Sequence, residues 1–279
     1  MTIKQLETKA KTIRKDIITM LLTAGSGHSA GPLGMADVFT AIYFGCVVNV
    51  NPKKPQDPNR DRVFLSNGHI CPVWYATLAN RGYFPRSWLK KLRQLGSPLQ
   101  GHPHRGAAAG IENTGGPLAQ GISQAVGAAL AAKMDQAKWQ VYCLMSDGEL
   151  NEGQVWEAFM FAGKHKLDNL TAIIDRNNIQ IDGMTEDVMP LEPLREKFEA
   201  FNWHVLEING HNMAEILNAL ETARAIYEKP VAIIAHTIPG KGVDFMEFDY
   251  EWHGKPPNQE QAREALHKLR SLKGKIQYD

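Results

Sequence analysis

A doubly wound α/β fold, a mainly parallel sheet with helices on both faces, is predicted by two features of this chain. From residue 139 onward, short and nearly continuous apolar runs alternate with amphipathic stretches of helical period. Such runs have no polar side, so both faces of their sheet must be covered. Four runs also end in polar or glycine-rich tips: Asn67-Gly68-His69, Asp147-Gly148, Asp175-Arg176-Asn177-Asn178 and His236-Thr237. In wound sheets ligands gather at the carboxyl ends of the strands, where helix N-termini point.

The elements follow in order. Ile3, Leu6, Ala10, Ile13, Ile17, Met20 and Leu21 share one face of a first helix, and Gly25 supplies its stop. A second helix is expected from Met35 to Val47. The run RVFLS (62–66) reads as a strand, and helical patterns cover 71–81 and 86–95. The stretch GSPLQGHPHRGAAAGIENTGGP comes next, long enough to be a functional loop. Small residues then make a helix over 118–135. Strands at 139–145, 170–175, 203–208 and 231–236 alternate with helices at 152–166, 191–201 and 212–228, and a last helix lies near 258–272. No repeat, low-complexity tract or linker interrupts the series, so residues 1–279 read as one domain.

Composition narrows the function. Lys and Arg number 31 against 30 Asp and Glu, a formal charge of +1, which leaves no electrostatic footprint for nucleic acid or a membrane surface. No apolar run approaches a membrane span, and the N-terminal segment is too charged for a signal-peptide core. Cys46, Cys71 and Cys143 are odd in number and lack metal-ligand spacing, which suits a reducing, cytoplasmic compartment.

The tips carry the chemistry. Asp147 offers an anionic oxygen and Asn177, thirty positions later, a neutral one. Both are hard donors that match Mg²⁺, or Ca²⁺, and not zinc. Gly148 lets backbone approach a phosphate with no Cβ in the way. Either pair alone reads as an ordinary strand-ending turn. Both together, each at the end of an apolar strand, favour a shared site.

Asp147-Gly148 with Asn177-Asn178 at this spacing resembles the thiamine diphosphate signature, a Gly-Asp-Gly followed by Asn or Asn-Asn. Ser146 replaces the first Gly. The flanks SGHSAGPLGMADV, DRVFLSNGH, GHPHR, GGPLAQG, DGELNEGQVWEA and AGKHKLDNLTAIIDRNNIQIDG resemble the N-terminal portion of transketolase, from about residue 13 to His253. The fit is closest to the separately encoded N-terminal subunits of split transketolases.

That resemblance implies roles. Asp147, Asn177 and the backbone carbonyl of Ile179 match the metal ligands. Gly116 and Gly148 match glycines at the diphosphate, and Leu118 a residue whose backbone sits near the pyrimidine. His69 and His253 match histidines around the diphosphate and reacting centre, His28 and His102 those facing the sugar's first carbons. Glu152 and Glu157 match glutamates near a dimer axis that relay protons between sites. Taken as sequence alone, they are carboxylates suited to a helix N-terminus. Gly115 stands where the family has Thr or Ser, and Ala119 where it usually has Gly.

The histidines have their own argument. Ketol transfer moves protons on and off sugar hydroxyls near neutral pH, and imidazole does this with little tuning. His165, His204 and His267 fall in helix or strand patterns and read as structural. His28, His69, His102 and His253 fall in Gly, Pro and Asn-rich loops, where a structural need for histidine is hard to find. His104, His211 and His236 stay between these readings, and Lys241 is either a phosphate contact or a solvated loop residue.

The resemblance also implies what lies elsewhere. In the family, the glutamate that protonates the cofactor's pyrimidine and the sugar-phosphate ligands belong to another domain. The expectation is therefore half of an active site, completed by a C-terminal transketolase subunit with two copies of each chain, acting on sugars or sugar phosphates. Two rivals stand beside it. The alpha subunit of a 2-oxo acid dehydrogenase shares the metal motif, though LSNGH, GHPHR and WHG speak against it. A non-catalytic cofactor-binding module has no use for His28 and His102. An NAD-binding protein lacks its G-x-G-x-x-G here.

Overall fold

Helix α1 (Ile3–Ala24) starts on a reciprocal cap in this computed structural model, which describes residues 1–271. Thr2 Oγ1 accepts from the Gln5 N–H at 3.3 Å, and the Gln5 side chain accepts from the Thr2 N–H at 2.8 Å. Gly25, at φ 62°, closes the helix in the left-handed conformation. Of the expected face, Leu6, Ala10, Ile13, Ile17, Met20 and Leu21 are buried, whereas Ile3, in the first turn, is 46% exposed.

The helix expected over 35–47 is α3 (Ala36–Phe44), and an unforeseen short helix, α2 (Ala30–Gly34), precedes it. α2 packs closely on the turn at Ile70, since a Cβ on Gly31 would meet that side chain at 2.8 Å. Strand β1 (Arg62–Leu65) leads to α4 (Cys71–Arg81), as expected. The helix expected over 86–95 shrinks to a 3-10 turn, Arg86–Lys91, since Leu92 is extended and Arg93 left-handed at φ 60°.

The alternating half of the chain then runs as read. Helix α5 (Gln120–Met134), β2 (Val141–Ser146), α6 (Gly153–Lys164) and β3 (Leu170–Arg176) come first. A short hairpin of β4 (Ile179–Gln180) and β5 (Gly183–Met184) and the turn of helix α7 (Thr185–Val188) come next, all unforeseen. Then follow α8 (Leu194–Ala200), β6 (His204–Asn209), α9 (Met213–Ala225), β7 (Val231–His236) and α10 (Gln259–Ser271). The end of the expected last helix, and residues 272–279 of the expected domain, lie outside the described residues.

The main sheet is wholly parallel with order β1-β2-β3-β7-β6. Along β2, Val141, Cys143 and Met145 enter one core, with α5, α6 and α8. Tyr142 and Leu144 enter the other, with α1, α3, α4 and α9. The strand period of two is thus apolar on both sides, which is why no polar alternation was legible. The chain steps from β1 to β3, jumps to the far edge at β6 and returns to β7. That reversal puts a switch point between β3 and β7, and register sets Ser146 beside Asp175 and Arg176 beside His236. The polar tips therefore share one end of the sheet.

Candidate active site

Two constellations stand at that end. The first is an oxygen-rich turn formed by β2, β3 and the β4–β5 hairpin. Asp147 is fully buried. Its Oδ1 accepts from the Gly148 N–H at 2.8 Å. Its Oδ2 accepts from Arg176 Nη1 at 3.0 Å, the Asn178 N–H at 2.8 Å and Thr185 Oγ1 at 3.3 Å. Burial pushes this carboxyl above its ordinary value, and the Arg176 guanidinium opposes the push.

Asn177 is held from both ends. Its Nδ2 donates to Asp175 Oδ2 at 2.8 Å, and its Oδ1 accepts from the Ile179 N–H at 3.0 Å. Asp175 in turn accepts from the Thr237 hydroxyl. Asp175 is fully buried, and burial raises its carboxyl to about 7. Thus Asp147, Asn177 and Ile179, read as metal ligands, do come together, and Thr237 of the fourth tip anchors them from behind. His236 does not join them: it is exposed, and its Nε2 pairs with Glu207 on the neighbouring strand at 3.2 Å.

The second constellation is a cleft of imidazoles. The ring centroids of His28 and His69 lie 4.9 Å apart, those of His69 and His253 5.1 Å, and those of His28 and His253 5.5 Å. All three are half-buried. Burial, then His253, Arg93 and His102, lowers His28 to about 4. Burial followed by the neighbouring imidazoles holds His69 well below the ordinary histidine value. Burial lowers His253, and burial with Arg93 lowers His102, the more exposed fourth member. Neutral imidazoles result, each able to donate one hydrogen bond and accept another.

The hairpin joins the two constellations. The Cβ position of Gly254, next to His253, is 3.8 Å from both His28 Nε2 and the Ile181 side chain at the hairpin tip. A buried glutamate joins them on the other side. Glu149 accepts from Ser66 Oγ at 2.8 Å, the Ala119 N–H at 2.7 Å and the Ser146 N–H at 2.8 Å. It ties the β1 tip, the 114–119 loop and the β2 tip into one body, and burial raises its carboxyl to about 7.

The glycines of the loop are explained by close approach. A Cβ on Gly68 would stand 2.5 Å from the Gly115 carbonyl oxygen, and one on Gly115 would stand 3.0 Å from that of Leu65. The side chain that the family carries at 115 has little room here. Ala119 sits left-handed at φ 66°, which is why α5 starts at Gln120 and not at 118.

The residues fit a phosphate-bearing cofactor and a hard cation. Gly116 is exposed with nothing within 4 Å of a Cβ, so its backbone is open to a ligand. Asn67, at the β1 tip, is fully buried with neither side-chain Nδ2 nor Oδ1 bonded, and His28 Nδ1 is likewise buried without a partner. Such groups are costly unless a ligand engages them. Gly148 is covered by the Gln180 side chain, whose Cγ lies 3.1 Å from a Cβ there. The cover is a movable side chain and not backbone. Leu118 is 37% exposed at the edge of the loop. Glu152 stands at the N-cap position of α6 without a side-chain capping bond, exposed, with exposed Glu157 further along the helix.

Sequence reasoning missed Glu149 and Arg93, and named Asp175 and Arg176 only as part of a strand tip, with no role. A strand ending in Asp-Arg was the available signal, since charges in an apolar parallel strand must find partners. His211 resolves as structural: its Nδ1 donates to Asp37 Oδ2 at 2.8 Å and its Nε2 accepts from the Ile238 N–H at 2.7 Å. Asp37 is also clamped by Arg14. The electrostatic neighbours of Lys241 include Glu247, Arg14, Asp37 and His211.

Comparison with known proteins agrees with this geometry. The family described as the thiamine diphosphate binding domain of transketolase matches residues 6–272. One subunit of the apulose-4-phosphate transketolase of Phocaeicola vulgatus is 42% identical over 96% of this chain and 95% of its own. The 6-deoxy-6-sulfo-D-fructose transketolase subunit SqwG of a Clostridium species is 43% identical over 95% of this chain and 96% of its own. Transketolase from Campylobacter jejuni superposes with a TM-score of 0.91 at 39% identity, over 97% of this chain but 43% of that one. The chain thus spans less than half of that transketolase and nearly the whole of the two subunits. It belongs to the transketolase family and carries that family's thiamine diphosphate binding domain.

Proposed function

We propose that this chain is the diphosphate-binding, N-terminal subunit of a two-chain transketolase that moves a two-carbon ketol unit from a ketose to an aldose. The cleft of neutral imidazoles carries this reading. Holding a diphosphate does not require His28 and His102, whereas proton traffic at a sugar does.

When bound, thiamine diphosphate supplies the electron sink for breaking a carbon–carbon bond beside a carbonyl. The open backbone at Gly116 and the unpartnered amide of Asn67 would hold its diphosphate. Asp147, Asn177 and the Ile179 carbonyl would hold Mg²⁺, with Ca²⁺ as the alternative hard cation. His69 and His253 line the space between diphosphate and sugar. Of His28 and His102, both neutral, one would accept a hydroxyl proton of the donor sugar while the other donates a hydrogen bond to the alkoxide that develops. Leu118 would lie on the pyrimidine side.

The pyrimidine-side glutamate and sugar-phosphate ligands would come from a complementary chain. Support lies in the near full-length match to two proteins named as subunits. Apolar side chains left outside add to it: Leu118, Ile181, Val188 and Met189 around the hairpin and loop, and Met160 and Phe161 on α6. Met160 and Phe161 share the outer face of α6 with Glu157, which suits a second copy of this chain, with Glu152 near the axis of such a pair. Two copies of each chain, sugars or sugar phosphates as substrates and a reducing cytoplasm complete the reading. All three cysteines are free.

The test is to assay the purified chain with Mg²⁺, thiamine diphosphate, a ketose phosphate and an aldose phosphate, alone and with the complementary chain. No turnover alone, and turnover on addition, is expected. Robust turnover by the single chain would end the half-site reading.

A further inference from the structure

Arg176 is buried in the sheet yet carries a charge that the mechanism does not use. Its side chain is 3% exposed. The guanidinium reaches three carboxylates: Nη1 lies 3.0 Å from Asp147 Oδ2, and Nη2 lies 2.5 Å from Glu186 Oε1 and 2.9 Å from Glu192 Oε1. Glu186 is fixed in turn by the Leu191 N–H, and Glu192 by the Leu194 N–H. The fork is therefore pinned on its outer side and presents one edge to Asp147.

The two oxygens of Asp147 are treated unequally. A carboxylate oxygen has about two lone-pair sites. Two short bonds fill Oδ2, from the Asn178 N–H at 2.8 Å and Arg176 Nη1 at 3.0 Å. The rotatable Thr185 hydroxyl is only marginal at 3.3 Å, so loss of Arg176 frees a lone pair. Oδ1 receives only the N–H of the next residue. Oδ2 has no lone pair left for a cation. Oδ1 has one.

We propose that Arg176 is a positioning residue that restricts Asp147 to single-oxygen ligation and so biases the site toward Mg²⁺ and against Ca²⁺. This rests on the metal reading given above. Mg²⁺ demands a near-ideal octahedron of short bonds, which single-oxygen carboxylates suit. Ca²⁺ accepts six to eight longer bonds and readily takes both oxygens of one carboxylate. Blocking Oδ2 leaves the first requirement untouched and removes the second option. The guanidinium also holds the carboxylate plane still, as groups behind a metal ligand do.

The experiment measures retention of thiamine diphosphate by the assembled two-chain complex, by calorimetry, against rising Mg²⁺ or Ca²⁺. Wild type requires a divalent ion and favours Mg²⁺. Arg176→Met shrinks the Mg²⁺-to-Ca²⁺ affinity ratio about tenfold or more, the scale on which groups behind a ligand act. Arg176→Lys keeps the charge but loses the fork, and it gives an intermediate ratio. Glu192→Gln, at an exposed carboxylate, leaves Arg176 on Asp147 and the ratio as in wild type. If Arg176→Met does not fold, Arg176→Lys decides the matter. Equal losses for both ions in either folded variant overturn the inference and make Arg176 merely structural. Cofactor retention by wild type without any divalent ion would overturn the metal reading itself, a separate result.

Discussion

The oxygen turn and the imidazole cleft stand at the same sheet end, yet they are built on opposite plans. At the turn, Asp147, Asp175, Asn177 and Arg176 find their partners within the chain. In the cleft, His28 Nδ1 and both amide atoms of Asn67 are buried without one. A buried unmet polar group costs roughly 1–3 kcal/mol, so the cleft is the less settled of the two. The lesson is a division of labour: this chain satisfies the turn from within, while the cleft keeps buried polar atoms that, under the proposed function, a ligand would engage. Substitutions in the two regions should therefore fail differently.

The largest effect is expected on turnover. His28→Ala and His102→Ala should each lower it on the order of 10²-fold, the range for a lost proton-transfer or alkoxide-stabilising group. Cofactor affinity should stay near wild type in the assembled complex. Donor half-reaction rates measured by stopped flow separate the cases. Normal rates in both variants would make the cleft histidines structural and erase the contrast.

At the turn the pattern should invert. Asp147→Ala should weaken cofactor retention at least tenfold, about 1.4 kcal/mol, and Asn177→Ala should do so more mildly. The fold should survive, because Arg176 keeps Glu186 and Glu192. Titration calorimetry of the complex checks this, and an unchanged Mg²⁺-dependent affinity in Asp147→Ala would remove it from the site.

Acid should distinguish the regions by sign. His28 sits at about 4 when folded, below its ordinary 6.5, so the unfolded chain takes the proton first. Its contribution to stability is complete above about pH 6.5 and is lost as pH falls through about 4. Glu149 sits at about 7, above its ordinary 4.5. The native chain takes that proton first, and stability grows as pH falls between those values. His28→Asn should flatten the acid-side loss of urea midpoint. A variant that loses stability on acidification as steeply as wild type would show that His28 does not contribute to it.

The same contrast explains what the sequence disclosed. Asp147-Gly148 and Asn177-Asn178 were legible because polar pairs at the ends of apolar strands have no core role, and the four loop histidines because nothing structural called for them. The strands were legible because both their faces are covered. The hairpin was not, since β4 and β5 are two residues each and show no period. Glu149 and Arg176 were hidden for a different reason. Their partners lie elsewhere in the chain, such as Ser66 and Ala119 for Glu149; the strand ending in Asp-Arg signals that Arg176 is paired but not with what. Arg93 was absorbed into a helical pattern that its left-handed backbone breaks.

The smallest effect is expected where the two regions meet, at Ala119. This residue is fully buried and left-handed at φ 66°, and its N–H donates to Glu149. Alanine in that conformation is disfavoured by roughly 1–2 kcal/mol, which Ala119→Gly would relieve. Glycine brings back roughly 0.5–1 kcal/mol of chain entropy. Loss of the buried methyl removes about 0.8 kcal/mol more. These terms nearly cancel, so Ala119→Gly should move stability by no more than about 0.5 kcal/mol, although most buried truncations destabilise clearly. The hydrogen bond to Glu149 comes from backbone and survives the change. Urea unfolding measures it. A loss above about 1.5 kcal/mol would mean that the methyl packs the joint between turn and cleft more tightly than burial of one methyl can explain.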